Sequence, residues 1–364
     1  NNQGHNYFLS QNPYTLNSYA AFGETYYDIF KTLKFTTGLR WTEDQKHFVD
    51  IPSQLLNDGA GYPSTGSVDQ QWDAITGRAA LNWTPKLAFT DQTLVYGSYA
   101  HGYKAGGANP PGPVLPQFAV GDANPDHPLT FKPEFIDAFE LGTKNTLLDG
   151  SLTLNGSIFY YNYEGYQISE IVDRTAINQN FDAHVKGAEV EATWEPIPGL
   201  RLNASGGYED ARAARGEKAI DLMDRTAGNP DWMVVRPFPT QASNCILPVY
   251  VVAALLKQGN FSGSNESNGN SVIACSHAYT QGLDPVTESP YSLPPFTIGS
   301  GVNIGAPTSV PADYIGFDPL TAPNLGEGFD KDLSHHVLPN APPLTFSAGA
   351  QYSMPVTADW AGTL

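Results

Sequence analysis

Residues 134–208 form one continuous zigzag, and no other feature restricts the fold so much. Glu134–Asn145 is followed by a tight Leu147-Leu148-Asp149-Gly150 turn, then Ser151–Ser169, a loop, Gly187–Glu195, a Pro-rich turn and Leu200–Tyr208. Successive side chains of a strand point to opposite faces, so a period of two sorts these residues into two sets. Leu152, Leu154, Gly156 and Ile158 oppose Thr153, Asn155 and Ser157; Ala188, Val190, Ala192 and Trp194 oppose Glu189, Glu191 and Thr193. Leu33, Phe35, Thr37, Leu39 and Trp41 repeat the pattern against Lys34, Thr36, Gly38, Arg40 and Thr42. Charged groups in mid-strand, such as Glu189, Glu191, Arg40 and Arg201, are costly in a packed sandwich core and easily hydrated in a wide lumen. The apolar face has no second sheet to cover it, which leaves lipid.

The bulk numbers agree. The chain has 364 residues, with Gly 35, Tyr 19, Phe 18 and Met 3. No apolar run reaches the roughly 18 residues of a transmembrane helix, but a membrane-crossing strand needs only about 9–11. A net charge of −18 argues against nucleic acid as a partner, since that needs clustered Lys and Arg. Asn1-Asn2-Gln3-Gly4 has neither the basic start nor the apolar run of a signal peptide, so the sequence is read as beginning after processing or inside a longer protein.

Alternation and turn signals predict about ten strands, near 14–30, 33–47, 71–84, 93–104, 133–147, 152–169, 181–195 and 200–210, with two more from 343 and 359. Connections alternate in length. Those near 31–32, 85–92, 148–151, 196–199 and 356–359 are short, whereas 48–70, 105–130, 170–180 and 212–340 are longer. Outer-membrane barrels sort their loops in this way, with short periplasmic turns and long extracellular loops. The expected fold class is therefore all-β, an antiparallel transmembrane β-barrel, with 105–130 and 212–340 as extracellular loops. Trp83 and Trp194 beside short turns, and Tyr160, Tyr161, Tyr163 and Tyr166 at the other end, read as interfacial anchors. Cys245 and Cys275 are the two cysteines, both in one Ser/Asn/Gly-rich segment. In an exported protein such a pair is expected to form a disulfide, worth about 3–4 kcal/mol on the chain-entropy account.

Several segments closely resemble the barrel of TonB-dependent outer-membrane receptors. They are Leu94-Val95-Tyr96-Gly97-Ser98-Tyr99-Ala100-His101-Gly102-Tyr103-Lys104-Ala105-Gly106-Gly107, Phe131-Lys132-Pro133-Glu134 leading to Phe139-Glu140-Leu141-Gly142-Thr143-Lys144, and Lys186-Gly187-Ala188-Glu189-Val190-Glu191. Ile158-Phe159-Tyr160-Tyr161-Asn162-Tyr163 and Leu338-Pro339-Asn340-Ala341-Pro342 also match, in the family's order and spacing. The resemblance implies a barrel of 22 strands filled by a plug domain, localised in the bacterial outer membrane and energised through the TonB complex. About ten strands cannot close such a barrel, so residues 1–364 are expected to be part of the C-terminal barrel domain of a longer receptor. The plug and closing strands are then expected outside this sequence.

What such a receptor does follows from the resemblance: active uptake of a scarce small-molecule ligand, foremost an iron–siderophore complex. A passive porin-like channel and a secreted glycan-binding β-protein are the alternatives. His101, Tyr103 and Tyr166 are the candidates for substrate contact. Asp330, Asp332, His335 and His336 are the one His/Asp cluster, but they lack a repeated ligand spacing and read as a polar loop end. Neither Gly-x-Ser-x-Gly nor His-Glu-x-x-His occurs, and neither cofactor, resident metal nor enzymatic activity is expected.

Overall fold

The computed structural model of the chain describes residues 13–50, 66–109, 130–172, 175–236, 244–257, 317, 321–355 and 361–363. Its strands, in chain order, are β1 (Tyr14–Phe30), β2 (Leu33–Asp50), β3 (Gly66–Trp83), β4 (Gln92–Lys104), β5 (Gly107–Ala108), β6 (Thr130–Phe131), β7 (Glu134–Leu147) and β8 (Leu152–Val172). They continue with β9 (Thr175–Ile197), β10 (Leu200–Ala213), β11 (Lys218–Ile220), β12 (Trp232–Val235), β13 (Cys245–Pro248), β14 (Asp330–Asp332), β15 (Leu344–Pro355) and β16 (Ala361–Thr363). One helix, α1 (Val249–Lys257), follows β13. Ten strands make a single sheet in the order β1-β2-β3-β4-β7-β8-β9-β10-β15-β16, a meander that follows the sequence. Among the described residues β1 and β16 are its two edges, so the barrel wall is not closed.

The register shows why the alternation matters. One row across the sheet reads Tyr27, Phe35, Leu81, Gly97, Leu141, Ile158, Ala188, Tyr208 and Leu344. The adjacent row, one residue along each strand, reads Asp28, Lys34, Asn82, Tyr96, Gly142, Ser157, Glu189, Gly207 and Thr345. The sheet therefore has an apolar and a polar face. On the apolar face Leu39, Ile75, Leu141, Ile158 and Phe346 are between 54% and 80% exposed, which in water would be a large unfavourable patch. Lipid is the solvent that suits it. Trp83 and Trp194 lie on this face beside the short turns, as expected of interfacial anchors.

The short turns are local solutions. Leu148, Asp149 and Gly150 all have positive φ, and the Gly150 N–H donates to Asp91 Oδ2 at 3.0 Å in the neighbouring turn. The strand bounds differ from expectation mainly at the opposite end. Of the predicted loop 170–180, residues 170–172 and 175–180 are strand instead: β8 and β9 have 21 and 23 residues and pair up to Val172↔Thr175. At about 3.4 Å per residue they are about 70 Å long, well beyond what crossing a bilayer needs. A β-bulge at Tyr163/Tyr166, with Gly165 at φ +66°, shifts the phase of β8 by one residue within the predicted strand.

The expected loop 212–340 also holds ordered structure among its described residues. β11 pairs with β14, β12 with β13, and α1 packs its buried Val251, Val252 and Leu255 beside them. Arg225 and Glu327, 102 positions apart, meet as a buried ion pair with Nη1 to Oε2 at 2.7 Å.

Candidate functional site

The polar face of β7 to β10 carries the chemistry. Phe159, Tyr161 and Tyr163 alternate up β8 on this face, and the bulge returns Tyr166 to it three residues later instead of two. Phe159 stacks on Tyr161 at 4.9 Å, and Tyr163 meets Tyr166 edge to face at 5.1 Å. The result is an aromatic stripe that climbs toward the long-connection end. The Tyr96 hydroxyl donates to Glu140 beside it. Glycines opposite the rings make room: a Cβ on Gly142 would lie 2.6 Å from Tyr96 Cζ. Farther along, Glu24 and Arg78 pair at 2.8 Å across Gly38, the residue between them in the same row.

The anchoring role expected of four tyrosines is corrected by this geometry. Tyr160 lies on the apolar face with Tyr99, whereas Tyr161, Tyr163 and Tyr166 line the polar face. Of the three contact candidates, Tyr166 thus joins the stripe. His101 sits on the apolar side, its Nδ1 2.8 Å from Asp137 Oδ1 and its ring stacked on Phe135; Tyr99 donates to the same carboxylate at 2.7 Å. The Tyr103 ring also packs on Phe135, at 5.5 Å. The structure does not bring the three together. Tyr96, Glu140, Phe159, Tyr161 and Tyr163, which sequence reasoning left out of the site, are found by following the strand phase inward from the short turns.

The segment around β11 and β14 is fastened by charge. Arg225 Nη1 also donates to the Glu327 carbonyl oxygen at 2.8 Å, and both side chains are out of water, at 4% and 0% exposure. Lys331 Nζ lies 2.9 Å from Asp221 Oδ2. That hydrogen bond holds the Asp221 carboxyl below its ordinary range and the Lys331 ammonium above its own. Asp332 is held low first by the Ser334 hydroxyl and then by the Ser334 N–H, which donates at 2.8 Å. Asp330 accepts from Asn324 Nδ2 at 2.8 Å, and His335 stands at φ +64° with its carbonyl bonded to Arg212. The His336 N–H donates to the Leu333 carbonyl and its own carbonyl accepts from Ala213, so Asp330, Asp332, His335 and His336 shape a loop, and among the described residues no group of His, Cys, Asp and Glu is arranged to hold a metal. Cys245 is fully buried and is not a free thiol; Cys275 lies outside the described residues.

The sheet has one apolar, lipid-compatible face and one polar face, and its connections alternate in length except between β8 and β9, which end two residues apart. The sequence profile described as "TonB dependent receptor-like, beta-barrel" matches residues 1–364. The chain belongs to this family. TonB-dependent receptors are β-barrels of the Gram-negative outer membrane, receptors and transporters rather than enzymes. Among solved structures, the chain is similar to the ferric yersiniabactin uptake receptor FyuA from Yersinia pestis, with 21% identity over 56% of this chain and 28% of that one, at a TM-score of 0.43. It is similar to the ferric-catecholate import receptor Fiu from E. coli K12, with 17% identity over 65% of this chain and 32% of that one, at 0.43. A third, titled copper transporter OprC, gives 16% identity, 55% and 30% coverage and 0.42. The chain therefore spans less than a third of each of these three receptors.

Proposed function

We propose that the chain is part of a receptor for energy-coupled uptake of a scarce nutrient, foremost an iron–siderophore complex, across the outer membrane. The wall would be completed to 22 strands and filled by a plug, through which the TonB complex delivers energy. The long-connection end would face the outside. The observation that carries this reading is the aromatic stripe of Phe159, Tyr161, Tyr163 and Tyr166, which runs up the polar face of a strand far longer than the bilayer is thick. Stacked rings with a few polar groups make a surface suited to a large amphipathic ligand. Tyr166 then contacts ligand, while His101 and Tyr103 pack the wall. Cys245 pairs with Cys275, which peptide mapping without reductant would detect as one cross-linked species.

Uptake of radiolabelled ferric siderophores by cells carrying the full receptor tests the reading. Uptake should appear under iron starvation and vanish when TonB is deleted or the proton gradient collapsed. Equal passage in the absence of TonB would instead indicate a passive channel.

A further inference from the structure

Residues 104–109, at and beyond the end of β4, are tied by side chains to the strands on both sides. β5 and β6 pair as a two-stranded ribbon, Gly107↔Phe131 and Ala108↔Thr130, just above the β4–β7 hairpin. The ribbon stands between two tall hairpins, β2–β3 and β8–β9, and is bonded to both. From the first, Lys46 Nζ donates to the Gly106 carbonyl and Gln70 Nε2 to that of Gly107 at 3.3 Å. Trp72 fills the space beside Gly106: a Cβ there would lie 2.8 Å from Trp72 Cζ2 and 2.9 Å from the Lys132 carbonyl carbon. Lys46 lies over the Trp72 ring at 5.4 Å.

From the second hairpin, Gln167 Nε2 donates to the carbonyls of Ala105 and Lys132 at 3.1 and 3.0 Å. Asn180 holds the same residue through both of its backbone groups, accepting from the Lys132 N–H at 2.7 Å and donating to its carbonyl at 3.0 Å. Asn109 is 1% exposed, and its amide acts toward β9 as a strand would, donating to the Asn178 carbonyl at 2.9 Å and accepting from its N–H at 2.8 Å. The bulge is part of this joint. Gly165, at φ +66°, leaves room for the Pro133 carbonyl, which a Cβ would approach to 2.8 Å.

We propose that the β5/β6 ribbon is a keystone: it locks the two tall hairpins into one unit and fixes where the connection between β4 and β7 leaves and rejoins the wall. Gln167, Asn180, Asn109 and Lys46 are positioning residues of the mouth. This goes beyond the uptake reading and does not depend on any particular ligand. Below, the hairpins are joined through β4 and β7, but β3 pairs with β4 only from Gly77 down, so their upper ends meet through the bonds that end on the ribbon and its flanking residues 105, 106, 109 and 132, and loosening one side frees the other.

Hydrogen–deuterium exchange on the full receptor in outer-membrane vesicles tests the coupling. Gln167→Ala with Asn180→Ala should raise exchange of 105–109 roughly tenfold or more, because several net hydrogen bonds are lost from a local opening unit. Lys46→Met with Trp72→Ala removes only contacts from the β2–β3 side, yet should also raise exchange of the Lys132 amide, whose acceptor is Asn180 on the other hairpin. An unchanged Lys132 amide in that second variant would overturn the keystone, leaving two independent contacts. If the first double variant does not assemble, as heat-dependent gel migration would show, Asn180→Asp serves in its place. It keeps the acceptor for the Lys132 N–H and loses the donor, so it should give an intermediate rise; a wild-type rate would count against the proposal.

Discussion

Removing the carboxylate of Glu327 should detach the segment between β10 and β15 from its own base while the wall stays folded. Glu327 is fully buried, and Arg225, at 4% exposure, reaches it with one guanidinium nitrogen at 2.7 Å. Glu327→Ala would remove the buried carboxylate that this guanidinium faces. Loss of one partner from a buried pair costs about 3–5 kcal/mol. The β10–β15 pairing and the Arg212–Val337 bridge already hold the ends of the segment together, so the entropy that opposes the pair is only that of the short arms above them. Among the described residues the other ties at this base are the three-residue β11–β14 ladder, the Lys331–Asp221 pair, Phe329 N–H to the Arg225 carbonyl at 2.8 Å, Leu333 N–H to the Glu217 carbonyl at 2.8 Å and the edge-to-face contact of Trp232 with Phe329. Exchange of the amides of 218–220 and 330–332 should then accelerate by about a hundredfold, since each 1.4 kcal/mol is a factor of ten. Heat-dependent gel migration, which reports the barrel, should be unchanged. Replacing both partners, Arg225→Met with Glu327→Leu, should recover much of the protection because no bare charge is left. Protection of β11 and β14 at the wild-type level in Glu327→Ala would refute the reasoning.

Three further outcomes follow from the faces and charges. Ile158→Arg, on the apolar face, should lower folding stability by about 2–4 kcal/mol if it lies near the bilayer centre, whereas Ser157→Arg on the polar face should be tolerated; urea titrations in lipid vesicles compare them. Glu24→Gln should leave thermal stability unchanged, because the Glu24–Arg78 pair has an arginine 59% exposed and such pairs contribute little; a clear drop in melting temperature would contradict this. Asp221, held below its ordinary 3.8 by Lys331, lends stability that is present above that value and drains as pH falls through the lowered one. Lys331, held above 10.5 by Asp221, lends stability that is complete below that value and is lost as pH rises through the raised one. Protection of β11 and β14, corrected for intrinsic exchange, should be flat between about pH 5 and about pH 10 and weaken on either side.

The wall was legible because a period of two is local: Leu152 to Ile158, or Ala188 to Trp194, declare their face within seven residues. The upper ends, 170–172 and 175–180, were not, because Asn178 and Asn180 read as loop by composition and the bulge at Gly165 shifts the phase inside the predicted strand 152–169. In the fold, Gln167 and Asn180 bond to the backbone of the adjacent ribbon through their side chains, and Asn178 through its main chain to Asn109. The same phase decides which of Tyr160, Tyr161, Tyr163 and Tyr166 meet lipid, so an aromatic count could mark the end of the strand but not its function. Arg225 and Glu327 carry no pattern at all, since each finds its partner 102 positions away.

Glycine on the polar face has a reason that links the wall to its use. Gly142 lies beneath Tyr96, and Gly187 has Phe159 so close that a Cβ would stand 3.0 Å from its Cε1. Flat rings laid over bare backbone cover the strand hydrogen bonds that a missing side chain would otherwise open to water. They also keep the surface low, because a ring lying along the sheet projects less than one standing on it. A wall built to face a packed core would fill those positions with branched side chains. One built as an open water-filled channel has no need of rings in register. Rings paired with glycines, with Glu140 and Glu189 beside them, suit a surface against which something large and partly polar must slide or rest. Tyr96→Ala would then roughen the wall by exposing the Gly142 strand, and the expected signature is faster exchange of the amides of 141–143 with barrel assembly intact. Unchanged exchange there would mean the ring protects nothing.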